Sequence, residues 1–280
     1  MGKLKVCIDI GGTKTIVAIL NEQLKILNWT EFFTPDNKEA FISLLNEKLD
    51  KIPKKPSTIN VAIPGRIDEN GRVVMSPNSP LLGLDIRALL QKKFKTVTIS
   101  NDANCFAVYE LFKGKLKHCS HGLIIVWGTG IGGSLVINRK IYSGKGFASE
   151  LGHIAVFDKD GEDIESMVGG AHLKTHYGNS GAELNALAMA NNETALLAFE
   201  KIGKIFGRLI YSLIYAFDPE RIVLGGSMVK SWKFMKNAVD EEIKKHSIRG
   251  GTKISINTDK FYVIKGCYFL DNYEKTYNKL

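Results

Sequence analysis

The sequence predicts an α/β protein. In both halves of the chain, short runs of β-branched and aromatic residues alternate with longer runs whose apolar residues recur at helical spacing. The segments VCIDIGGTKTIVAIL and IIVWGTGIGGSLVI are each a strand, a glycine-rich turn and a second strand, and they lie about one domain length apart. At 280 residues the chain has room for one large domain or two medium ones. We therefore expect a duplicated α/β unit whose two glycine turns face one cleft.

The first half begins with a predicted β-hairpin. Leu4–Ile10 and Thr15–Leu20 are strand-like, and the glycine pair between them accepts the positive φ of tight hairpin turns. The other elements predicted here are helices at Phe41–Ile52, Leu84–Phe94 and Ala103–Lys113, strands at Ile59–Ile63 and Thr96–Ser100, and a Gly-, Asn-, Ser- and Pro-rich loop at Ile67–Pro80. We interpret the polar, basic stretch Lys113–His121 as a crossing between domains.

The second half repeats the alternation of strands and helices. Its predicted strands are Gly122–Trp127, Ser134–Ile137 and Ile222–Leu224, with edge pieces at Ile254–Asn257 and Tyr262–Ile264. Its predicted helices are Ala182–Ala190, Thr194–Phe217, Met228–His246 and a terminal helix at Cys267–Lys279.

Glycines of the second turn imitate a dinucleotide fingerprint. Gly128, Gly130 and Gly133 form GxGxxG, and Glu150 follows at the distance of a ribose-binding acid. That site needs a helix directly after the glycines, whereas SLVINRKIYSG alternates as a hairpin with an Asn-Arg turn. The spacing GxxxxGK[ST] of a phosphate-binding P-loop does not occur in the sequence. Both of these nucleotide-binding classes are therefore disfavoured.

Two interpretations of the glycine turns remain. Successive N–H groups in such turns form an anion-binding nest, so the turns could face phosphate oxygens. Alternatively, they are two ordinary glycine hairpins. Asp9 before the first turn, Thr13 and Lys14 after its glycines and Thr129 inside the second turn favour phosphate binding.

Composition excludes several classes of protein. Hydrophobic residues make up 44% and charged residues 24%, which is typical of a globular protein. The formal net charge is +9, but 31 of the basic residues are Lys and only 7 are Arg, which disfavours base readout in nucleic acid. The longest mostly apolar stretch is shorter than the ~20 residues of a membrane span. With four scattered cysteines and no signal peptide, the sequence predicts a cytoplasmic protein without nucleic-acid or membrane partners.

Five motifs in order resemble the ROK family of sugar kinases and repressors. They are DIGGTKT at 9–15, NDAN at 101–104, GTGIGG at 128–133, ELGH at 150–153 and IVLGGSMV at 222–229. The resemblance runs from about position 5 to about position 270. It implies two ribonuclease-H-like (actin-like ATPase) domains with a central cleft, which we place at residues 1–115 plus 264–280 and at 116–263. It also implies a homodimer.

The resemblance implies roles for individual residues. Asp102 would be the catalytic base, since phosphoryl transfer to a hydroxyl needs a carboxylate that accepts its proton; an ordinary helix cap is the alternative. The residues that would bind the sugar are Gly65, Asn78, Asn101, Asp102, Glu150, His153 and Glu165. Asp9 would act on Mg²⁺ through water, since Mg²⁺ keeps part of its hydration shell. The residues that would bind ATP are Asp9, Gly11, Gly12, Thr13, Lys14, Gly128, Thr129, Gly130, Gly225, Gly226 and Ser227.

One departure from the family concerns zinc. Many members carry a CxCGxxGC cluster after the GH motif, whereas the corresponding stretch here, IAVFDKDGEDIESM, contains no cysteine. Since His153 alone cannot form a tetrahedral site, we expect no structural zinc.

The expected activity is transfer of the γ-phosphoryl group of ATP to the 6-hydroxyl of a hexose or N-acetylhexosamine, with glucose and N-acetylmannosamine favoured. Two other functions are kept as alternatives. One is a sugar-sensing ROK regulator, although the family's repressors carry an additional DNA-binding domain before the first hairpin. The other is a sugar-binding protein without catalysis, against which the presence of both Asp9 and Asp102 argues.

Overall fold

The computed structural model describes residues 3–53, 56–68, 70–76, 80–155, 162–245 and 251–277. The chain divides into two compact units. Unit 1 is Met1–Lys117 with Lys260–Leu280, and unit 2 is His118–Asp259. These boundaries lie two residues after and four residues before the ones expected from the sequence.

Unit 1 is built on a mixed five-stranded sheet. The strands of this unit are β1 (Lys5–Ile10), β2 (Lys14–Leu20), β3 (Ile26–Phe33), β4 (Thr58–Ile63), β5 (Arg66–Ile67), β6 (Val73–Met75) and β7 (Thr96–Asn101), and its first helices are α1 (Lys38–Asp50), α2 (Ile86–Gln91) and α3 (Asp102–Phe112). The sheet order is β3-β2-β1-β4-β7. The pairs β3–β2 and β2–β1 are antiparallel, and the pairs β1–β4 and β4–β7 are parallel. One face packs on α1 and α2 around Phe41, Leu45 and Leu49, which lie at helical spacing and are at most 1% exposed.

Two features of unit 1 differ from the sequence prediction. β3 was not predicted, because it is an edge strand whose apolar residues do not alternate and of which Trp29 and Phe33 stay exposed. The stretch Ile67–Pro80, predicted to be a loop, contains the antiparallel pair β5–β6. Gly65 explains this pair: its φ is +91° and a side chain there would collide with the Met75 carbonyl, so only glycine lets the strands approach.

Unit 2 contains a second mixed five-stranded sheet. Its strands are β8 (Gly122–Trp127), β9 (Ile131–Ile137), β10 (Lys140–Tyr142), β11 (Arg221–Gly225) and β12 (Lys253–Ile256). Its helices are α4 (Ile164–Val168), α5 (Leu173–Tyr177), α6 (Gly181–Met189), α7 (Glu193–Phe217) and α8 (Trp232–Lys245), with short 3-10 turns at Leu151–His153 and Ser227–Ser231. As the sequence predicts, Asn138 and Arg139 form the turn between β9 and β10, both with positive φ.

The two sheets have the same topology. The order β10-β9-β8-β11-β12 matches β3-β2-β1-β4-β7 strand for strand, and each pair of neighbours has the same relative direction. In unit 2 the core lies between this sheet and α7, where the rings of Trp127 and Phe206 stack at 3.9 Å. The duplicated α/β unit expected from the two glycine motifs is therefore present in both sheets.

The last helix, α9 (Tyr262–Tyr277), belongs to unit 1. The edge strand predicted at Tyr262–Ile264 is wrong, because these residues form the first turn of α9. The Tyr262 ring packs on Phe106 of α3 with ring centroids 4.1 Å apart, which favours the helix over an edge strand. A buried ion pair between Lys5 on β1 and Asp271 on α9, at 2.5 Å, joins this helix to the sheet. Within the described residues, no helix is long and apolar enough to cross a bilayer.

Candidate functional site

The first glycine hairpin turns directly after β1. The Gly11 N–H donates to the Lys14 carbonyl at 2.9 Å, which closes the turn. Two further hydrogen bonds reach the turn from Thr34, just after β3. The Thr34 hydroxyl donates to the Gly11 carbonyl at 2.7 Å, and the Thr34 N–H donates to the Thr13 carbonyl at 2.9 Å. The predicted residues Gly11, Gly12 and Thr13 thus form a turn that is held from the β3 side.

Lys14, the fourth residue of this turn, is engaged in an ion pair. Its ammonium group lies 2.6 Å from Glu31 on β3, and its side chain is 51% exposed. A phosphate group bound by Lys14 would therefore have to share or break this ion pair, which at such exposure costs about 1 kcal/mol or less.

Two carboxylates come together at one edge of the unit 1 sheet. Asp9 lies at the end of β1, and Asp102 directly follows β7; the carboxyl ends of these parallel strands share an edge. Burial is the main cause that raises the pKa of Asp9 from 3.8 to about 7, and the negative charge of Asp102 is the second. A cation at this edge would relieve the unfavourable charge of Asp9.

Asn101, and not Asp102, is the N-cap of α3. The Asn101 Oδ1 accepts from the N–H groups of Ala103 at 2.9 Å and Asn104 at 3.4 Å. Its Nδ2 donates to the Gly65 carbonyl at 3.0 Å, which ties the β4–β5 turn to the start of the helix. Asp102 occupies the first helical position, where its Oδ1 also accepts the Ala103 N–H, at 2.8 Å, and the helix dipole stabilises its charge. The structure therefore gives the capping role to Asn101 and brings Gly65, Asn101 and Asp102 together.

The second glycine hairpin follows β8 in unit 2. The Gly128 N–H donates to the Gly130 carbonyl at 2.9 Å. The carbonyl groups of Gly128 and Thr129 accept from the N–H groups of Gly170 and Ala171 at 2.9 and 2.8 Å, so the loop after α4 holds this turn. At Gly128 and Thr129, the second turn is therefore held by backbone hydrogen bonds.

A cavity of about 440 Å³ adjoins the second hairpin. It is lined by Gly128, Thr129, Gly170, Ala171, Gly181, Ala182, Asn185, Ser227, Met228, Lys230 and Ser231. Of the residues predicted to bind ATP in unit 2, Gly128, Thr129 and Ser227 are in the wall, whereas Gly130, Gly225 and Gly226 are not among the lining residues. Gly226 has a φ of +94° and packs against the Trp127 carbonyl, so it shapes the turn that leads from β11 to Ser227.

Glu150, His153 and Glu165 all lie in unit 2. Glu165 on α4 accepts the Ile131 N–H at 2.7 Å, which connects this carboxylate to the first residue of β9. His153 is 66% exposed, and its Nδ1 lies 3.0 Å from Asp163. That hydrogen bond raises the pKa of His153. Glu150 is half-buried and immediately precedes the 3-10 turn that contains His153. Asn78 lies outside the described residues.

The two groups that the site residues imply, Mg²⁺ and ATP, fit what these residues offer. Mg²⁺ prefers oxygen ligands, and Asp9 is a carboxylate whose charge is destabilised by burial and by Asp102. Five of the eleven residues that line the unit 2 cavity are glycine or alanine, whose small size leaves room for a flat base and ribose. No cluster of three or more His, Cys, Asp or Glu that could hold a metal occurs within the described residues, which omit 156–161 of the segment compared with the family's zinc cluster.

Most residues of the cavity wall were missed in the sequence. Four of the missed residues are small and carry no chemical signal: Gly170, Ala171, Gly181 and Ala182. Asn185 is an isolated amide in the sequence, and its Oδ1 accepts from the Ser231 hydroxyl at 2.9 Å. Two weak signals were available. One is the run of small residues after α4, and the other is the Ser180 capping box that starts α6.

Comparison with known proteins places the chain in a family. A model of the ROK family matches residues 5–260. The chain belongs to the ROK family. The N-acetylgalactosamine kinase AgaK of Shewanella sp. (strain ANA-3) is 32% identical over 278 residues, which cover 88% of this chain and 88% of that protein. The N-acetyl-D-glucosamine kinase of Haemophilus influenzae (strain 86-028NP) is 27% identical over 278 residues, covering 86% and 90%.

A solved ROK structure supports the fold. The ROK family glucokinase from Streptomyces griseus, in complex with glucose and AMPPNP, superimposes with a TM-score of 0.81 at 20% identity, covering 96% of this chain and 98% of that one. The sequence-based fold class, two ribonuclease-H-like α/β domains of the actin-like ATPase type, is therefore confirmed. Proteins similar to this ROK chain include sugar kinases.

Proposed function

We propose that this ROK protein is an ATP-dependent sugar kinase that phosphorylates the 6-hydroxyl of a hexose or N-acetylhexosamine. The observation that carries the proposal is the position of Asp102. This carboxylate stands at the N-terminus of α3 beside Asp9, while Asn101 supplies the helix cap. A carboxylate that the Ala103 N–H holds at a helix start, at the same sheet edge as a second carboxylate, suits a base that removes a proton from a hydroxyl.

In the proposed reaction, unit 1 supplies the base, and the sugar would be bound by Asn101 of unit 1 and by Glu150, His153 and Glu165 of unit 2. Asp102 would accept the proton of the sugar hydroxyl as the hydroxyl oxygen attacks the γ-phosphorus of ATP; the bond from that phosphorus to the β–γ bridging oxygen breaks, and ADP leaves. Asn101 keeps one N–H of its amide on Gly65 and can direct the other to a sugar hydroxyl. Asp9 would hold Mg²⁺ through water, and the metal would supply positive charge toward the transferred phosphoryl group.

Unit 2 would hold the nucleoside. The cavity beside the second hairpin offers backbone groups, the Asn185 amide and the hydroxyl of Ser231 for a base and ribose. Lys230 in the same wall brings a positive charge toward an anionic ligand. Those N–H groups of the two glycine turns that do not close the turns, such as that of Gly12, would contact the phosphates.

Within the proposed activity, we favour an N-acetylhexosamine as substrate. Two relatives that cover most of the chain are named as kinases of N-acetylgalactosamine and N-acetylglucosamine. Glucose and N-acetylmannosamine, which the sequence favoured, belong in the same panel. A homodimer in the cytoplasm stays a prediction.

The activity is tested by ADP release from purified protein with Mg²⁺-ATP and a sugar panel. The panel contains N-acetylgalactosamine, N-acetylglucosamine, N-acetylmannosamine, glucose, galactose and a 6-deoxy sugar as the control for the acceptor position. We expect turnover with at least one N-acetylhexosamine and none with its 6-deoxy analogue. ADP release that no sugar stimulates, or equal turnover with the 6-deoxy sugar, would contradict the proposal.

A further inference from the structure

Thr34 is the hub of a small hydrogen-bond chain behind the first hairpin. It is 7% exposed, and its hydroxyl donates to the Gly11 carbonyl at 2.7 Å. The same oxygen lies 2.9 Å from the hydroxyl oxygen of Thr15, which is fully buried on β2. A hydroxyl has one hydrogen, and that of Thr34 is used on Gly11. The Thr15 hydroxyl therefore donates to Thr34, and the chain runs from Thr15 through Thr34 to Gly11.

Peptide geometry converts this chain into an orientation for the turn. In a trans peptide group the C=O and the following N–H point in opposite directions, and cis peptide bonds are absent from the described chain. Since the Gly11 carbonyl faces Thr34, the Gly12 N–H points away from Thr34. The Thr34 N–H fixes a second peptide plane of the turn in the same way, through the Thr13 carbonyl.

We propose that Thr34 is a positioning residue that aims the backbone N–H groups of the first hairpin at the phosphates of ATP; this rests on the proposed kinase function. The glycines allow the turn many conformations. Two hydrogen bonds from one residue on a neighbouring strand select among them. Thr34 acts through Gly12 and its neighbours and makes no contact of its own with the nucleotide.

Substitutions of the hydroxyl test the proposal. Thr34→Val removes both hydroxyl bonds and keeps the shape and the N–H bond, Thr34→Ser keeps the hydroxyl, and Thr15→Val removes only the outer bond. Thr98→Val is the matched control, since Thr98 is a 2% exposed threonine on β7 of the same sheet. The Kd of Mg²⁺-ATP is measured by calorimetry without sugar, and KM for ATP and for sugar by ADP release.

We expect Thr34→Val to weaken Mg²⁺-ATP binding by about 10-fold, with KM for sugar changed less than about 2-fold. Thr15→Val should give a smaller loss, and Thr34→Ser should restore binding to within about 2-fold of the original protein. A merely structural threonine would lower thermal stability and leave the ratio of the two KM values unchanged. An unchanged Kd in Thr34→Val, or an equal loss in Thr98→Val, would overturn the inference.

Amide hydrogen exchange separates this inference from the proposed function, because it needs no substrate. In Thr34→Val, a peptide covering the first hairpin should exchange faster, while peptides from unit 2 exchange as before. If the protein binds Mg²⁺-ATP through a Thr34-dependent turn but phosphorylates no sugar, the kinase proposal fails and the positioning role stands. If it phosphorylates sugar and the turn exchanges at the original rate in Thr34→Val, the positioning role fails and the kinase stands.

Discussion

In unit 1 the glycine turn after β1 is held by a threonine, whereas in unit 2 the turn after β8 is held by other backbone groups. In both cases the carbonyl of the first glycine accepts a hydrogen bond from a residue outside the hairpin. The Thr34 hydroxyl donates to Gly11, and the Gly170 N–H donates to Gly128, at 2.7 and 2.9 Å. By the same peptide geometry, the N–H groups of Gly12 and Thr129 therefore point away from these two donors.

The two turns differ in whether a side-chain substitution can remove the hydrogen bond to the first glycine carbonyl. A hydroxyl can be removed without changing the backbone, so the turn of unit 1 can be loosened by one side chain. At Gly128 and Thr129 the turn of unit 2 is held by N–H groups that every residue except proline carries. The side-chain bond that a substitution can remove there is the one from the Ile131 N–H to Glu165, at the start of β9. The two turns thus share a hydrogen bond to the carbonyl of the first glycine and differ in the group that donates it.

The charge of Asp9 provides the largest expected effect on unit 1. Asp9→Asn should lower kcat/KM by about 10²-fold or more, because the residue that would hold Mg²⁺ is lost. In EDTA the same variant should be more stable than the original protein above neutral pH. The folded-state pKa of Asp9, about 7, exceeds the ordinary 3.8, so the original protein loses stability as pH rises between these values.

The gain in Asp9→Asn should therefore be absent near pH 4 and reach at most about 4 kcal/mol above pH 7. Urea unfolding at several pH values measures it, and Asp36→Asn, which alters an exposed carboxylate of unit 1, is the control. A stability difference that grows as pH falls would show that burial does not raise the pKa of Asp9.

The cavity wall offers the matching test in unit 2. Ala182 lines the cavity, so Ala182→Leu should raise KM for ATP by about 10-fold and leave KM for sugar nearly unchanged. Ala186→Leu, one turn further along α6 and also exposed, should leave both constants as they are. Initial rates with each substrate varied decide it. A larger effect on sugar than on ATP would mean that the cavity binds the sugar and not the nucleotide.

Glu165 tests whether the second turn depends on a carboxylate at all. In Glu165→Gln the amide oxygen can still accept the Ile131 N–H, so thermal stability should stay close to that of the original protein while KM for sugar rises. Glu165→Ala leaves that N–H without its acceptor and should cost about 1–3 kcal/mol of stability. Equal stability of the two variants would show that this hydrogen bond does not hold the turn.

Zinc gives the smallest expected signal. Elemental analysis of protein purified without added zinc or a histidine tag should find far less than one zinc per chain, since IAVFDKDGEDIESM supplies no thiolate. One zinc per chain that survives dialysis against a chelator would contradict this expectation.

The sequence predicted those parts of the site that lie next to a strong local pattern. Both glycine turns follow β-branched strands, and Asp102 lies in a short polar motif between a strand and a helix. Thr34 was missed because β3 was missed. This edge strand shows no alternation of apolar and polar residues, and without the strand the sequence gives no sign that Thr34 lies beside the first hairpin. The cavity wall was missed because its small residues acquire a role only when α6 and the Ser227–Ser231 turn pack together.

The central claim is that Asp102 performs chemistry and does not merely start a helix. The direct measurement compares kcat of Asp102→Ala with that of Asp85→Ala. Asp85 is a true N-cap, whose Oδ1 accepts the Ala88 N–H at 2.8 Å. Losing that cap should cost about 1 kcal/mol of stability and leave kcat within about 2-fold. Asp102→Ala should lower kcat by about 10²–10⁴-fold while Mg²⁺-ATP still binds. Turnover in Asp102→Ala as high as in Asp85→Ala would contradict the account.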